Sequence, residues 1–184
     1  VGYIDLLVSE AAGLLGEMQR KFVQRISAKV IRLETMLNDL AHLTALDTGT
    51  YQLDLVQMDV IGLIEDAITN ATYQFREKDL TLQIELDDSV PAIYIDIEGI
   101  NQVIGQLLTN AYIVSPVNST ITVQAKPNDG FVLVAVRDSG GGIPLDEQDA
   151  IFARRYGTDH QLVTGLGDTG VGLSIAKALV EAHG

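Results

Sequence analysis

The chain contains no cysteine, which excludes disulfide staples and thiolate-bound metals. No apolar run approaches the roughly 20 residues that cross a bilayer, and no charged-then-apolar leader opens it. Positive charge is scarce: 12 Lys and Arg stand against 25 Asp and Glu, a formal net charge of -13. A surface that grips a nucleic-acid backbone needs clustered Lys and Arg, and no such cluster occurs. Nucleic acid is therefore not expected as a partner, nor is membrane contact, and a cytoplasmic setting is expected. There is no internal repeat and no low-complexity segment. A chain this acidic can bind an anion only through locally placed donors or a divalent cation.

What is present suffices for a core. Hydrophobic residues make up 47% of the 184 positions, which argues against disorder and suits one domain, or a domain with a helical attachment. Val1 to Val8 reads as the tail of a helix, and Ala11 to Gly16 as a turn. From about Glu17 to Asp47 a long helix is predicted. Val23, Ile26, Val30, Leu33, Leu37, Leu40 and Thr44 recur in steps of three and four, a heptad seam. Phe22, Met36 and Leu43 widen the stripe, as in a four-helix bundle. A core helix within one globular domain would give a similar pattern, but about 30 residues is long for one. A homodimer is the natural cover for such a stripe.

Asp47-Thr48-Gly49-Thr50 should end that helix. Strands are predicted at Gln52–Met58, Leu80–Leu86 and Ala92–Ile95, and helices at Val60–Glu77 and Ile97–Val114, the last stopped by Ser115-Pro116. Thr120–Ala125 and Phe131–Val136 read as a hairpin around Pro127-Asn128-Asp129-Gly130. A final helix should span Leu173–His183. A mixed sheet covered by helices on one face would fit this order.

Two glycine clusters stand out. Asp138-Ser139-Gly140-Gly141-Gly142-Ile143-Pro144 follows the hairpin, and Gly165-Leu166-Gly167-Asp168-Thr169-Gly170-Val171-Gly172 runs into the last helix. A carboxylate beside glycines can accept hydrogen bonds while backbone approaches closely. Glycines before a helix leave N–H groups and the positive dipole end open to an anion. A base-plus-phosphate ligand, a nucleotide, answers to both. The 97–114 helix adds Gln106 and Asn110, four apart and on one face.

In this order the segments resemble the ATP-binding domain of a sensor histidine kinase, in the wider family that includes gyrase, Hsp90 and MutL ATPases. Asp96 to Val103 leading into Gln106-Leu107-Leu108-Thr109-Asn110-Ala111 is similar to the asparagine box. Asp138 to Gly142 resembles the first glycine box, Ile151-Phe152-Ala153-Arg154 the phenylalanine box, and Gly170 to Ile175 the second glycine box. The resemblance implies an α+β architecture. Residues 1–49 would be part of a dimerisation and phosphotransfer hairpin, one half of a dimeric four-helix bundle. Residues 50–184 would be a two-layer α/β sandwich with a mixed sheet, the Bergerat-type ATP-binding fold, without its last strands. ATP and Mg2+ are the implied cofactors.

The same resemblance implies a role for each site residue. Asp138, as a buried acid, would accept from the adenine amino group. Gly140 and Gly142 would let the base approach. Gly170 and Gly172 would cradle phosphates, and Arg154 would reach the terminal phosphate. Asn110 would ligate Mg2+, with Gln106 also facing metal or water. The chain departs from the pattern twice: Gln106 stands where the box begins with Asn, and Ile113 where it carries Lys. No histidine matches the acceptor; His42 and His183 read as structural, and His160 lies beside the second glycine box. The acceptor is expected upstream of Val1. The implied activity is autophosphorylation of that histidine and relay to an aspartate on a response-regulator receiver domain. The alternative is a degenerate nucleotide-sensing or scaffold module. A gyrase-type ATPase ranks below both, because Gln106 cannot act as a general base.

Overall fold

The computed structural model describes residues 16–153 and 171–184. In chain order its elements are α1 (Glu17–Asp47), β1 (Leu55–Met58), α2 (Val60–Glu77), β2 (Thr81–Leu86), β3 (Ile93–Asp96), α3 (Ile97–Val114), β4 (Thr120–Asn128), β5 (Phe131–Arg137), a single 3-10 turn (Ala150–Phe152) and α4 (Gly172–His183). The expected helix tail at Val1 to Val8, the expected turn from Ala11 as far as residue 15, and the first glycines of the second cluster lie outside the described residues.

Local chemistry sets the ends of the helices. Gly49, at φ +65°, takes the left-handed conformation that closes α1, and Thr50 N–H returns to the Ala45 carbonyl at 2.9 Å. Asp59 caps α2 by accepting from Ile61 N–H at 2.9 Å. Asp96 caps α3 by accepting from Gly99 N–H at 2.8 Å. Asp129 and Gly130, at φ +43° and +88°, make the tight two-residue turn that suits strand twist. The turn is shorter than expected, and β4 runs on through Pro127 to Asn128. Proline is tolerated there because β2 pairs only as far as Ala125, leaving that end of β4 bonded to β5 alone.

The strands form two sheets. β2 and β4 are parallel, β4 and β5 antiparallel, giving the expected mixed sheet in the order β2-β4-β5. β1 and β3 form a separate antiparallel ribbon, Leu55 opposite Asp96 through Met58 opposite Ile93. Helices α2 and α3 cover one face of the sheet. Ile64, Phe75, Ile104, Leu108, Ile121 and Val123 form the centre of that core.

A second, smaller core joins Leu43 of α1 to Val103 of α3 and to Ile175, Ala176 and Leu179 of α4. The last turns of α1 are thereby seated on α3 and α4. Earlier on the helix, Met18, Phe22, Ile26, Leu33, Leu37 and Leu40 are all more than half exposed.

Candidate functional site

α3 is the axis of the site. Its polar face carries Gln102, Gln106 and Asn110, one turn apart each. Gln102 faces α1: His42 Nδ1–H donates to its Oε1 at 2.6 Å. Gln106 faces the start of α4, where a Cβ built on Gly172 would overlap its amide. Asn110 is half-buried one turn further, and its Nδ2 is buried without a hydrogen-bond partner among the described residues. Buried amide donors are rarely left unpaired, so this donor is free to meet an acceptor such as a phosphate oxygen.

The C-terminal end of α3 meets the first glycine cluster. Gly140 lies so close that an added Cβ would stand 2.9 Å from Val114 Cγ2 and 2.9 Å from Asp138 Oδ1. Ser139 Oγ donates to the Thr120 carbonyl at 2.7 Å, and the buried Ser115 hydroxyl faces Ser139 N–H at 3.5 Å. Gly142 is glycine for conformation instead, with φ +73° and open space around it.

Asp138 corrects one expectation. Its side chain is exposed, not buried. The hairpin leaves the sheet at Arg137, residues 138–149 form neither strand nor helix, and nothing among the described residues covers the carboxylate. Its Oδ1 accepts from Gly140 N–H at 2.7 Å, so the acid shapes the glycine turn and stays open to a ligand. Phe152 lies in the 3-10 turn with its ring 5.6 Å from Lys177 Nζ on α4. Arg154, His160 and Gly170 lie outside the described residues.

Two further side chains fix the site. Lys78 Nζ donates to the Tyr112 carbonyl at 2.5 Å and to the Ile113 carbonyl at 3.2 Å, and it lies over the Tyr112 ring. It neutralises the negative end of α3, whose last turn has no basic residue of its own. No sequence pattern links Lys78 to a helix 34 residues away. Asp96, buried at the start of α3, also accepts from Asp54 N–H at 2.9 Å. Burial raises its pKa, but the N–H groups of Gly99, Asp54 and Glu98 and the charge of His183 together outweigh that and hold it below the ordinary 3.8. Asp96 opens the segment that resembles the asparagine box, and an Asp just before an amphipathic run is the signal for its capping role.

An amide, a carboxylate and the first turn of α4 therefore lie along one helix. Among the described residues no three His, Cys, Asp or Glu side chains converge, so a cation here would draw mainly on phosphates and water. Asn110 fits that arrangement: its amide ends interchange by a half-turn, presenting oxygen to a hard cation. A separate cleft of about 660 Å³ opens between α2 and α3, lined by Asp66, Asn70, Gln74, Asn101 and Thr109. It touches neither Gln106, Asn110 nor Asp138.

Known proteins share this fold. Residues 95–184 match the family described as histidine kinase-, DNA gyrase B- and HSP90-like ATPase. The alginate biosynthesis sensor protein KinB of Pseudomonas aeruginosa is 32% identical over 162 residues, which is 88% of this chain and 27% of KinB. The chain spans between 23% and 28% of the length of three such curated relatives. Full-length ShkA, solved in complex with AMPPNP, has the same fold at a TM-score of 0.77 and 24% identity, over 95% of this chain and 36% of that one. Histidine kinase ThkA, solved in complex with the response regulator protein TrrA, does so at 0.69 and 20% identity, over 98% of this chain and 51% of that one. The chain carries a histidine-kinase ATP-binding domain of the histidine kinase-, DNA gyrase B- and HSP90-like ATPase family.

Proposed function

We propose that this chain is the catalytic portion of a dimeric sensor histidine kinase. It binds ATP with Mg2+, directs the γ-phosphoryl group to a histidine outside residues 1–184, and serves a response-regulator aspartate as the final acceptor. The unpartnered Asn110 amide carries the reading, because it stands midway on α3 between the Asp138 turn and the start of α4. Asp138 accepts from the purine amino group, with Gly140 and Gly142 shaping the turn beneath it. Asn110 holds Mg2+, and Gln106 lines the same face. The first free N–H groups of α4, beginning at Gly172, receive phosphate oxygens, joined by Gly170. Mg2+ supplies charge neutralisation at the phosphates. Arg154 takes the terminal phosphate.

Residues 1–49 belong to the dimerisation part and residues 50–184 to the nucleotide-binding part. The environments of two histidines support an acceptor elsewhere. His183 donates from Nδ1 to the Leu179 carbonyl at 2.7 Å and accepts at Nε2 from Asp96 N–H at 3.0 Å, so both nitrogens are engaged. His42 donates to Gln102. A response-regulator partner is supported by the fold shared with ThkA, which was solved with one. A second reading, a nucleotide-sensing or scaffold module without kinase activity, is favoured by Ile113, which brings no charge to the phosphates.

Calorimetric titration with ATP and Mg2+ tests the reading. Asp138→Asn should weaken binding by about 10- to 100-fold, the worth of about 1.5–3 kcal/mol for a hydrogen bond to a charged group. Equal affinity in wild type and variant would refute the assignment.

A further inference from the structure

Nothing among the described residues covers the Asp138 carboxylate, so its place depends on what its turn leans on. One support is β5, which ends at Arg137 opposite Thr122. The other is the last turn of α3. Val114 fills the space beside Gly140, and the Ser115 hydroxyl faces Ser139 N–H. The last carbonyls of a helix have no partner within it. Here Ser115 N–H takes the Ala111 carbonyl at 3.1 Å, and the next two carbonyls, of Tyr112 and Ile113, are taken by Lys78. Lys78 is itself held. It caps α2, three residues after the buried Phe75, whose ring stacks on that of Tyr112 with centroids 5.7 Å apart. Its Nζ lies 4.8 Å from the centroid of the same Tyr112 ring. The end of α2 thus grips Tyr112 by ring and carbonyl together. With two carbonyls and a ring face engaging the ammonium, Lys78 acts on the site through α3 and not by touching a phosphate.

We propose that Lys78 is a positioning residue for base recognition: by holding the last turn of α3, it fixes the wall against which the Asp138 turn sets its carboxylate. The inference rests on the nucleotide reading above and deepens it. Adenine carries an amino donor where guanine carries a carbonyl. A carboxylate accepts from the one and repels the other, but only while it is kept in place. Without the ammonium, the Tyr112 and Ile113 carbonyls lose their donor, and the turn that carries Val114 and Ser115 loosens. Discrimination between the two bases then falls. The metal end is spared, because Asn110 precedes the freed carbonyls, between Leu108 and Ala111, which are buried in the main core.

Competition of ATP and of GTP against a fluorescent ATP analogue, across a Mg2+ series, tests this in wild type, Lys78→Met and Lys78→Arg. A positioning residue cannot cost more than the contact it positions, here about 10- to 100-fold for Asp138. Lys78→Met should weaken ATP about fivefold and GTP by less than about twofold, with the Mg2+ concentration for half-maximal binding held within about twofold. Lys78→Arg, whose guanidinium can still donate to two carbonyls, should return ATP affinity to within about twofold of wild type. Ile68→Val, a change in the core on the same helix, should lower the melting temperature without moving the ratio of ATP to GTP affinity. Equal losses for ATP and GTP, no loss, no recovery in Lys78→Arg, a shifted Mg2+ requirement, or an equal fall in the ratio from Ile68→Val overturns the inference and leaves the nucleotide reading standing. If Lys78→Met does not fold, Lys78→Gln, which keeps a donor but no charge, is measured against the same criteria. A wild-type chain that binds ATP no better than GTP overturns both.

Discussion

Glycines that look alike in the sequence act for different physical reasons, and the reasons predict different mutants. Gly140 needs room: a methyl would press on Val114 Cγ2 at 2.9 Å, a β-branched side chain with little freedom in a helix. Gly142 needs conformation, with φ +73° and no near neighbour. Gly140→Ala should cost about 1–3 kcal/mol as overpacking, lowering the melting temperature by roughly 3–10 °C, and Val114→Ala should return part of it. Gly142→Ala should cost about 1–2 kcal/mol from the left-handed backbone, and Val114→Ala should leave that unchanged. Thermal unfolding of the four variants checks both; equal rescue of the two glycine variants would contradict the distinction. The glycines, Asn110 and Asp138 could be picked out as candidates because each occupies a motif position. The exposure of Asp138 was not, since burial depends on what covers a loop. Lys78 was not either, since its contact joins segments far apart in the chain.

At the scale of elements, the helices were legible and the strands less so. α1, α2 and α3 begin and end where periodicity, an Asp cap, Gly49 or Ser115-Pro116 put them, because helix signals are local. Strand limits depend on a partner. β1 starts at Leu55, not Gln52, because its ladder with β3 stops opposite Asp96 and Asp54 N–H turns to the Asp96 carboxylate. That carboxylate joins β1, β3 and α3, and its titration should show in stability. Its folded pKa lies below the ordinary 3.8, so the ionised form stabilises the fold at neutral pH. The contribution is present above the unfolded pKa and is lost as pH falls through the folded value. Asp96→Asn should therefore destabilise the chain at pH 7 and flatten its loss of stability below about pH 4. Urea unfolding between pH 2.5 and 7 checks this; parallel curves for wild type and variant would contradict it.

At the scale of the molecule, a nucleotide-binding fold is seated on the end of a helix that, among the described residues, carries a largely exposed apolar stripe. Met18, Phe22, Ile26, Leu33, Leu37 and Leu40 share one stripe of α1, and a stripe of that size calls for helical partners. A second copy would supply them, so the chain should sediment as a dimer, and Leu33→Glu with Leu37→Glu should yield a monomer that still binds ATP. A monomeric wild type would contradict the dimer. If α3 holds a Mg2+-bound nucleotide through Asn110, calorimetry of ATP binding with and without Mg2+ will show it. Wild type should bind in a Mg2+-dependent manner, and Asn110→Ala should lose that dependence together with about tenfold or more in affinity. Identical titrations for the two proteins, with the same response to Mg2+, would contradict it.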